Sequence, residues 1–258
     1  MIDADAQQEN PPYRNNHSTP ATHTPPPDSL ISPTASLDYW SRTPASITGM
    51  LGGYPQISLT DLRGSRSFLT KLRRGPSGSF TPSSHKRLKL GVDCGAGIGR
   101  VTDGFLRHVA RWRVGGRAGD HGDGDKYDLI WNQWCLGHLT DSQLTAYLRR
   151  CVHILQPAPD PDSDSTSNDN GVGEGGGGGW IVVKENMSTD PSGGDIYDEL
   201  DSSVTRTDDK FRRLFADAGL EVVRSELQTG FPKGLGLYPV RMYGLRPKKE
   251  RWRESHAS

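Results

Sequence analysis

The chain is predicted to adopt an α/β fold, with a mainly parallel sheet covered by helices on both faces. Two observations favour this class. Strand and helix patterns alternate along the sequence, which is the order that builds a parallel sheet from strand–helix–strand units. A glycine-rich turn also joins the first predicted strand directly to the helix that follows it. A length of 258 residues is sufficient for one such domain together with flexible segments.

The predicted elements follow one another from residue 87 onward. Short apolar and β-branched runs predict strands at 87–92, 127–131, 180–183, 220–227 and 238–245. Apolar residues at helical spacing predict helices at 99–110, 140–155 and 208–218. The last of these helices ends at Gly219, a residue type that commonly terminates helices.

Composition sets the domain boundaries. Residues 1–36 and 157–179 are rich in Pro, Ser, Asn, Asp and Gly, and such segments bury too little apolar surface to fold. They are predicted to be a disordered tail and a disordered insertion. The domain is therefore placed at 37–246, with a charged C-terminal tail at 247–258.

Charge and cysteine content exclude several classes of protein. The 31 basic and 31 acidic residues cancel, which argues against a general nucleic-acid binder. No apolar stretch approaches the roughly 20 residues that span a bilayer, so no membrane partner is expected. Three cysteines without a paired motif indicate a reducing compartment, the cytoplasm or also the nucleus. We assign them no chemistry, and we assign no metal site.

Charge is unevenly distributed along the chain. Residues 37–156 carry 17 basic and 9 acidic side chains, whereas residues 157–210 carry 3 and 13. The acidic block either faces a cationic ligand or merely keeps the insertion soluble. The second interpretation suits the acids of the insertion better than Asp198, Glu199 and Asp201, which lie in ordered-looking chain.

The strongest chemical signal is the turn DCGAGIGR at 93–100. Its alternating glycines follow a strand and precede a helix, so the backbone can approach a ligand closely. A helix N-terminus behind the turn favours an anionic group. A tight strand-to-helix turn without a ligand is the simpler alternative, but the strand, the acid and the helix together favour a ligand site.

This turn resembles the first motif of class I methyltransferases, which bind S-adenosylmethionine (SAM) on a Rossmann-like sheet. The wider sequence resembles the eukaryotic protein N-terminal methyltransferases, which methylate the α-amine of proteins that begin X-Pro-Lys or X-Pro-Arg. The matching blocks occur in the family's order: YW (39–40), GMLGGY (49–54), DCGAGIGR (93–100), WNQW (131–134), GHLTD (137–141), LRRC (148–151), KENM (184–187) and DSSV (201–204).

The resemblance implies roles for individual residues. SAM is the implied cofactor, bound through Gly95, Arg100 and Gln133. The implied partners are protein substrates, bound through Trp40, Leu51, Gly52, Trp134, Asn186, Asp198, Ser203 and Tyr238. Asp198 corresponds to the acid that receives the basic third side chain, and Trp134 and Asn186 hold the N-terminus and its proline. His138 and Asp201 are the implied catalytic residues.

The chemistry of the reaction agrees with these roles. An α-amine has a pKa near 8, so at neutral pH it must lose a proton before it can accept a methyl group. Histidine titrates in a suitable range, and a carboxylate can stabilise or accept the proton. Ordinary structural roles stay open: His138 could cap the next helix, Trp134 could be core, Asn186 could stabilise a turn and Asp201 could cap one.

The match breaks between Arg100 and Tyr127, where only 26 residues lie. A standard layout needs two helices and two strands there, roughly 50 residues. The sheet is therefore predicted to lack two strands of the family's sheet, including the one whose acid binds the SAM ribose. None of Asp120, Asp123 and Asp125 follows an apolar run, so none is assigned that role. Either a coding segment is missing from this chain, or the protein has diverged into an impaired or non-catalytic binder of such N-termini.

Overall fold

The computed structural model of the chain describes residues 25–74, 87–114, 126–158 and 178–248. Its strands are β1 (Leu88–Cys94), β2 (Ala110–Val114), β3 (Leu129–Gln133), β4 (Trp180–Asn186), β5 (Ile196–Asp198), β6 (Ser203–Thr205), β7 (Leu220–Leu227) and β8 (Val240–Pro247). Its helices are α1 (Pro33–Arg42), α2 (Ile47–Met50), α3 (Ser58–Arg74), α4 (Arg100–Gly104), α5 (Asp141–Ile154) and α6 (Asp208–Asp217). In these residues, no helix is long and apolar enough to cross a bilayer.

Six strands form one sheet in the order β2-β1-β3-β4-β8-β7, and β5 and β6 form a separate hairpin. The four strands from β2 to β4 are parallel, as predicted. β8 is the exception, because it runs antiparallel to both of its neighbours, β4 and β7. Residues 228–239 join β7 to β8 without a crossover α-helix, and a parallel pair would need such a crossover.

Helices cover both faces of the sheet, which confirms the predicted α/β class. Helices α5 and α6 pack on one face around Leu144, Leu148 and Phe215. Helices α3 and α4 pack on the other face, where Phe68 meets a layer that includes Trp131. Every residue of β3 is buried, as expected for a central strand covered on both sides.

The edge of the sheet corrects one prediction. The helix predicted at 99–110 is shorter: α4 ends at Gly104, a 3-10 turn follows at Leu106–His108, and the chain then enters β2. β2 pairs in parallel with β1, so one of the two strands predicted to be missing is present. In the sequence, apolar residues alternate with arginines from Ala110 to Val114, a period-two pattern that the surrounding Gly and Arg residues obscure.

The N-terminal boundary is also corrected. Residues 25–36 were predicted to be disordered, yet they contain a 3-10 turn at Pro27–Leu30 and the start of α1. The Ser32 side chain accepts a hydrogen bond from the Ala35 backbone, and Pro33 occupies the first turn, where its missing N–H costs nothing. Residues 1–24 and 159–177 lie outside the described residues, so the disorder predicted for them stays a prediction.

Candidate active site

Two neighbouring cavities lie at the carboxyl ends of β1, β3 and β4. The first, here called the glycine-turn cavity, has a volume of about 380 Å³ and lies against the turn after β1. The second, the hairpin cavity, has a volume of about 430 Å³ and is lined in part by the β5–β6 hairpin. The two cavities share four lining residues: Trp40, Met50, Trp134 and His138.

The structure brings all of the predicted site residues together. Three line the glycine-turn cavity: Gly95, Arg100 and Gln133. The eight predicted substrate residues line the hairpin cavity: Trp40, Leu51, Gly52, Trp134, Asn186, Asp198, Ser203 and Tyr238. His138 lies at the junction of the cavities, and Asp201 lines the hairpin cavity. Their roles remain predictions, although their placement is the one that those roles require.

The glycine turn has a geometry that only glycine supports easily. Gly95 has a φ of 71°, and a Cβ on it would lie 2.5 Å from the Cys135 Cβ. A Cβ on Gly97 would lie 2.8 Å from the Met50 sulfur. The acid before the turn, Asp93, is buried and accepts a hydrogen bond from Thr102 on α4, so it ties the strand to the helix. The backbone of the turn is therefore left bare toward the cavity.

A buried carboxylate, Asp61 on α3, holds the two polar cofactor residues. Its oxygens accept hydrogen bonds from Gln133 Nε2 at 3.0 Å, and one of them pairs with the Arg100 guanidinium at 2.8 Å. The Gln133 carbonyl oxygen accepts from the Trp131 indole at 3.2 Å, which fixes how the amide is turned. Arg100 and Gln133 therefore reach the cavity from fixed positions.

The same carboxylate also pairs with a second cation. Lys184 Nζ lies 2.5 Å from Asp61 and donates to Ser65 and Gln228, each at 2.9 Å. Burial lowers the pKa of Lys184, while the neighbouring Asp61 opposes that shift. With Lys184 charged, one anion and two cations leave a net positive cluster beside the glycine turn. Such a cluster favours an anionic group in the cavity.

The described residues fit part of SAM. Bare turn backbone and the Arg100 guanidinium suit the methionine portion and its carboxylate. Among the described lining residues of the glycine-turn cavity there is no carboxylate that could accept hydrogen bonds from ribose hydroxyls. In the family that acid follows the second strand, and the corresponding stretch here, 115–125 with Asp120, Asp123 and Asp125, lies outside the described residues.

Two residues that line the hairpin cavity each have a buried polar atom without a protein partner within the described part of the chain. These atoms are the Trp134 indole nitrogen and one carboxylate oxygen of Asp201. Leaving a buried donor or acceptor without a partner costs about 1–3 kcal/mol, and such groups occur at functional sites and where water is bound. Trp134 also has a φ of 52°, a strained value for a large side chain. The surrounding structure therefore fixes Trp134 in this conformation, and Trp134 is not an ordinary core residue.

The turn that carries Trp134 is held by Glu185. One carboxylate oxygen of Glu185 accepts from the backbone N–H groups of Cys135 and Leu136, both at 2.9 Å. Burial raises the pKa of Glu185 to about 7, although these two N–H groups oppose the shift. Burial also raises the pKa of all three cysteine thiols, which keeps them protonated.

His138 lies in a 3-10 turn between Leu136 and Leu139, and a buried arginine clamps this turn. Arg206 donates to the carbonyl oxygens of Leu136 and Leu139 and to Asp141. Although desolvation opposes it, hydrogen bonds from Lys210 and Arg206 lower the pKa of Asp141, so the clamp stays charged. The cap of α5 is Thr140, which forms a reciprocal capping box with Gln143, so His138 has no capping role.

The resemblance did not identify the residues that support the site. Asp61, Lys184, Glu185 and Arg206 each hold a turn or a side chain that lines a cavity. The sequence contains one sign of these supporting contacts. Lys184 and Glu185 lie next to each other in an apolar strand, and charged residues that are buried in a strand need partners of opposite charge or hydrogen bonds. Across the described ranges, no cluster of His, Cys, Asp or Glu is placed to hold a metal ion.

The fold and the paired cavities define a SAM-dependent methyltransferase. The structure resembles that of a SAM-dependent methyltransferase from Leishmania major, with a TM-score of 0.62, 26% identity, and coverage of 84% of this chain and 86% of that one. The family model described as AdoMet dependent proline di-methyltransferase matches residues 28–114, 120–159 and 173–246. The chain belongs to this family.

Curated relatives agree with the family assignment. The chain is 36% identical to "Alpha N-terminal protein methyltransferase 1" of Schizosaccharomyces pombe, over 82% of this chain and 94% of the relative. It is 35% identical to the human "N-terminal Xaa-Pro-Lys N-methyltransferase 1", over 81% and 92%. The family match begins at residue 28, which agrees with the corrected N-terminal boundary. It is interrupted at 115–119, where the sequence was found to be short.

We expect Asp61→Asn to weaken SAM binding by at least about tenfold and to lower the free energy of unfolding by about 3 kcal/mol. The amide cannot pair with Lys184 and Arg100 together, so both cations lose their buried partner. Calorimetry with SAM and urea unfolding measure the two effects. The control is Asp103→Asn, which removes an exposed acid of α4 that pairs with Arg107 on the helix surface. Wild-type affinity and stability in Asp61→Asn would contradict this role.

We expect Glu185→Gln to change how stability depends on pH. Between pH 4.5 and 7 the folded protein retains a proton on Glu185 that the unfolded chain has released, so raising the pH destabilises the fold. Over this interval the free energy of unfolding of the wild type should therefore fall by about 3 kcal/mol. The Gln variant lacks the titrating group and should not show this fall. Urea unfolding at pH 4.5, 6 and 8 measures the difference, with the exposed Glu221→Gln as the control. Parallel pH profiles for wild type and Glu185→Gln would show that the carboxyl titrates normally.

Proposed function

We propose that the protein transfers methyl groups from SAM to the α-amine of proteins with an exposed X-Pro-Lys or X-Pro-Arg N-terminus. The observation that carries the proposal is the junction of the two cavities, where Trp40, Trp134 and His138 border both spaces. A donor in one cavity and a chain terminus in the other would meet at this junction. The substrate class follows the printed names of the relatives, which include N-terminal Xaa-Pro-Lys N-methyltransferases.

SAM, when bound, supplies an electrophilic methyl group on a sulfonium centre. The chain's own part is to orient the donor, and the groups available for this are the glycine-turn backbone, Arg100 and Gln133. Alignment of nitrogen, methyl carbon and sulfur accelerates such a transfer because the reactants no longer have to find one another in solution. Asp61 contributes indirectly by fixing the positions of Arg100 and Gln133.

The hairpin cavity offers a place for an ammonium group. Asp201 and Trp134 line this cavity, so the Asp201 carboxylate can attract the terminal ammonium and the Trp134 ring can pack against it. His138 and Asp201 are the groups available to accept the proton that the ammonium must release before it is methylated.

The remaining predicted residues suit the second and third substrate positions. The flat Trp134 ring can pack against a proline, and Asn186, at the end of β4, can bind the peptide backbone. Asp198 is exposed at the end of β5 and lines the cavity, so it can pair with a basic side chain at the third position. In this proposal the cationic ligand of the acidic part of the sequence is the basic third side chain of the substrate. We propose no nucleic-acid or membrane partner, and residence in the cytoplasm or nucleus stays a prediction.

The alternative is a non-catalytic binder of such N-termini, suggested by the short segment after Arg100. Two observations weigh against it. The glycine-turn cavity is formed, and the two polar residues that line it are held by Asp61. Calorimetry separates the two proposals, because a pure peptide binder would bind an X-Pro-Lys peptide but not SAM.

Incubation with labelled SAM and a Ser-Pro-Lys peptide should give peptide methylated at its α-nitrogen, located by tandem mass spectrometry. The N-acetylated peptide is the matched control, because it has the same side chains but no free α-amine. A Ser-Ala-Lys peptide tests the second position. Label on the acetylated peptide at the same rate would refute α-amine transfer, and label only on a small molecule would refute the substrate class.

Asp198→Lys should raise the KM for a Ser-Pro-Lys peptide about tenfold, because reversing the charge replaces attraction at an exposed site with repulsion. The matched control is Glu199→Lys, which makes the same charge change one residue away, outside the lining of either cavity. Steady-state kinetics with peptides carrying Lys or Gln at position three measure the effect. Equal KM values for the two variants would show that Asp198 does not meet the third side chain.

A further inference from the structure

We infer that Ser36 is a positioning residue for His138: its hydroxyl holds the neutral imidazole with its proton on Nδ1, which leaves Nε2 to take the proton of the substrate amine. The inference rests on the proposed function for its chemical purpose. Its geometry comes from α1, whose residues Ser36 and Trp40 both contact His138 across about a hundred residues of sequence. Neither contact could be anticipated from the blocks that carry the family resemblance.

The first contact fixes one nitrogen of the ring. The Trp40 indole nitrogen lies 3.0 Å from His138 Nε2. An indole N–H is a donor and has no lone pair to accept with. His138 Nε2 must therefore be the unprotonated, accepting nitrogen, and the neutral ring carries its proton on Nδ1.

The second contact agrees with the first. Ser36 Oγ lies 3.2 Å from His138 Nδ1 and 3.1 Å from the backbone carbonyl oxygens of Asp201 and Ser202. With the ring proton on Nδ1, the hydroxyl oxygen accepts from Nδ1, and its single proton goes to one of the two carbonyl oxygens, which can only accept. One tautomer therefore satisfies both contacts.

The hydroxyl is well anchored. Ser36 is buried, with 7% of its surface exposed. The Ser32 backbone N–H, at the start of α1, donates to Ser202 Oγ at 2.8 Å, so the helix is fixed to the loop that carries Asp201. The opposite side of the histidine turn is fixed by Arg206 through the Leu136 carbonyl. The imidazole is therefore held between two elements that have little freedom to move.

The arrangement suits proton transfer at Nε2. The α-ammonium N–H bond breaks, an Nε2–H bond forms, and the electron pair stays on nitrogen for the methyl group. The new imidazolium still donates from Nδ1 to Ser36, so that hydrogen bond survives the transfer. The Trp40 indole cannot donate to a protonated Nε2, so the incoming amine must take its place. Because Trp40 borders both cavities, this exchange occurs at their junction.

The tautomer can be measured directly. Two-bond ¹H–¹⁵N correlation spectra of the free protein distinguish a ring protonated on Nδ1 from one protonated on Nε2, and His138→Gln assigns the signal. We expect the Nδ1-protonated pattern in the wild type. Trp40→Phe should keep this pattern, and adding Ser36→Ala to Trp40→Phe should shift the two nitrogens toward a mixture of tautomers, because neither contact then remains. Ser36→Ala alone should lower kcat about tenfold, with less than a twofold change in KM for the peptide, because the amine displaces Trp40 from Nε2 and leaves only Ser36 to hold the ring. Ser41→Ala is the control, because Ser41 lies on the same helix and its hydroxyl donates to the Asp38 carbonyl.

Each other result overturns the inference. A wild-type ring protonated on Nε2 contradicts the tautomer. A Trp40→Phe/Ser36→Ala double variant with an unchanged ring pattern gives Ser36 a packing role only. A changed pattern with wild-type kcat removes the hydroxyl from catalysis. If Ser36→Ala does not fold, the spectrum of Trp40→Phe tests the inference. Ser36 is then the remaining contact of the ring nitrogens, so loss of the Nδ1-protonated pattern would overturn it. A wild type without methyl transfer would refute the proposed function, while the spectra would still report on the tautomer.

Discussion

The buried carboxylate of Asp61 is the interaction on which the glycine-turn cavity depends. It joins α3 to Gln133 at the end of β3, to Lys184 in β4 and to Arg100 at the start of α4. Removing three charges from water costs several kcal/mol for each, and the loss is offset only when every charge has partners at hydrogen-bond distance. The cluster therefore has one arrangement that is stable. The carboxyl ends of the strands are held in register with α3, and a positive charge is fixed beside the glycine turn.

A second set of buried contacts completes the site from the opposite side. Helix α1 contacts His138 through Ser36 and Trp40. Arg206 holds the turn that carries His138, and Glu185 holds the turn that carries Trp134. These supporting residues fix the backbone of the two turns, including the turn in which Trp134 has a φ of 52°. Catalysis of methyl transfer depends on alignment more than on reactive groups, so rigidity here is the property that the reaction requires.

The sequence predicted the parts of the molecule that repeat a local pattern. The helix at 140–155 and the strand before the glycine turn have clear periodicity. The residues that the resemblance singled out line the two cavities, and their roles stay predictions. Asp61 was missed because its neighbours in DLRGSR (61–66) look like an exposed helix surface, and its partners lie 39 to 123 residues away. The ordered residues 25–36 were missed because their Pro and Ser content resembles a linker, although here it caps helices. The antiparallel direction of β8 could not be predicted, because it depends on which strands pair and not on the local sequence of β8.

The segment after β2 is shorter than a full sheet of this kind requires. Eleven residues, 115–125, separate Val114 from Lys126. They can span about 36 Å when extended, enough to return the chain to β3, but they are too few for the additional helix and strand of a full sheet. Among the described side chains that line the glycine-turn cavity, Arg100 is the one that suits the carboxylate of the methionine portion of SAM. Asp61 lines neither cavity, yet it contacts both Arg100 and Gln133, so the positions of these two residues depend on it.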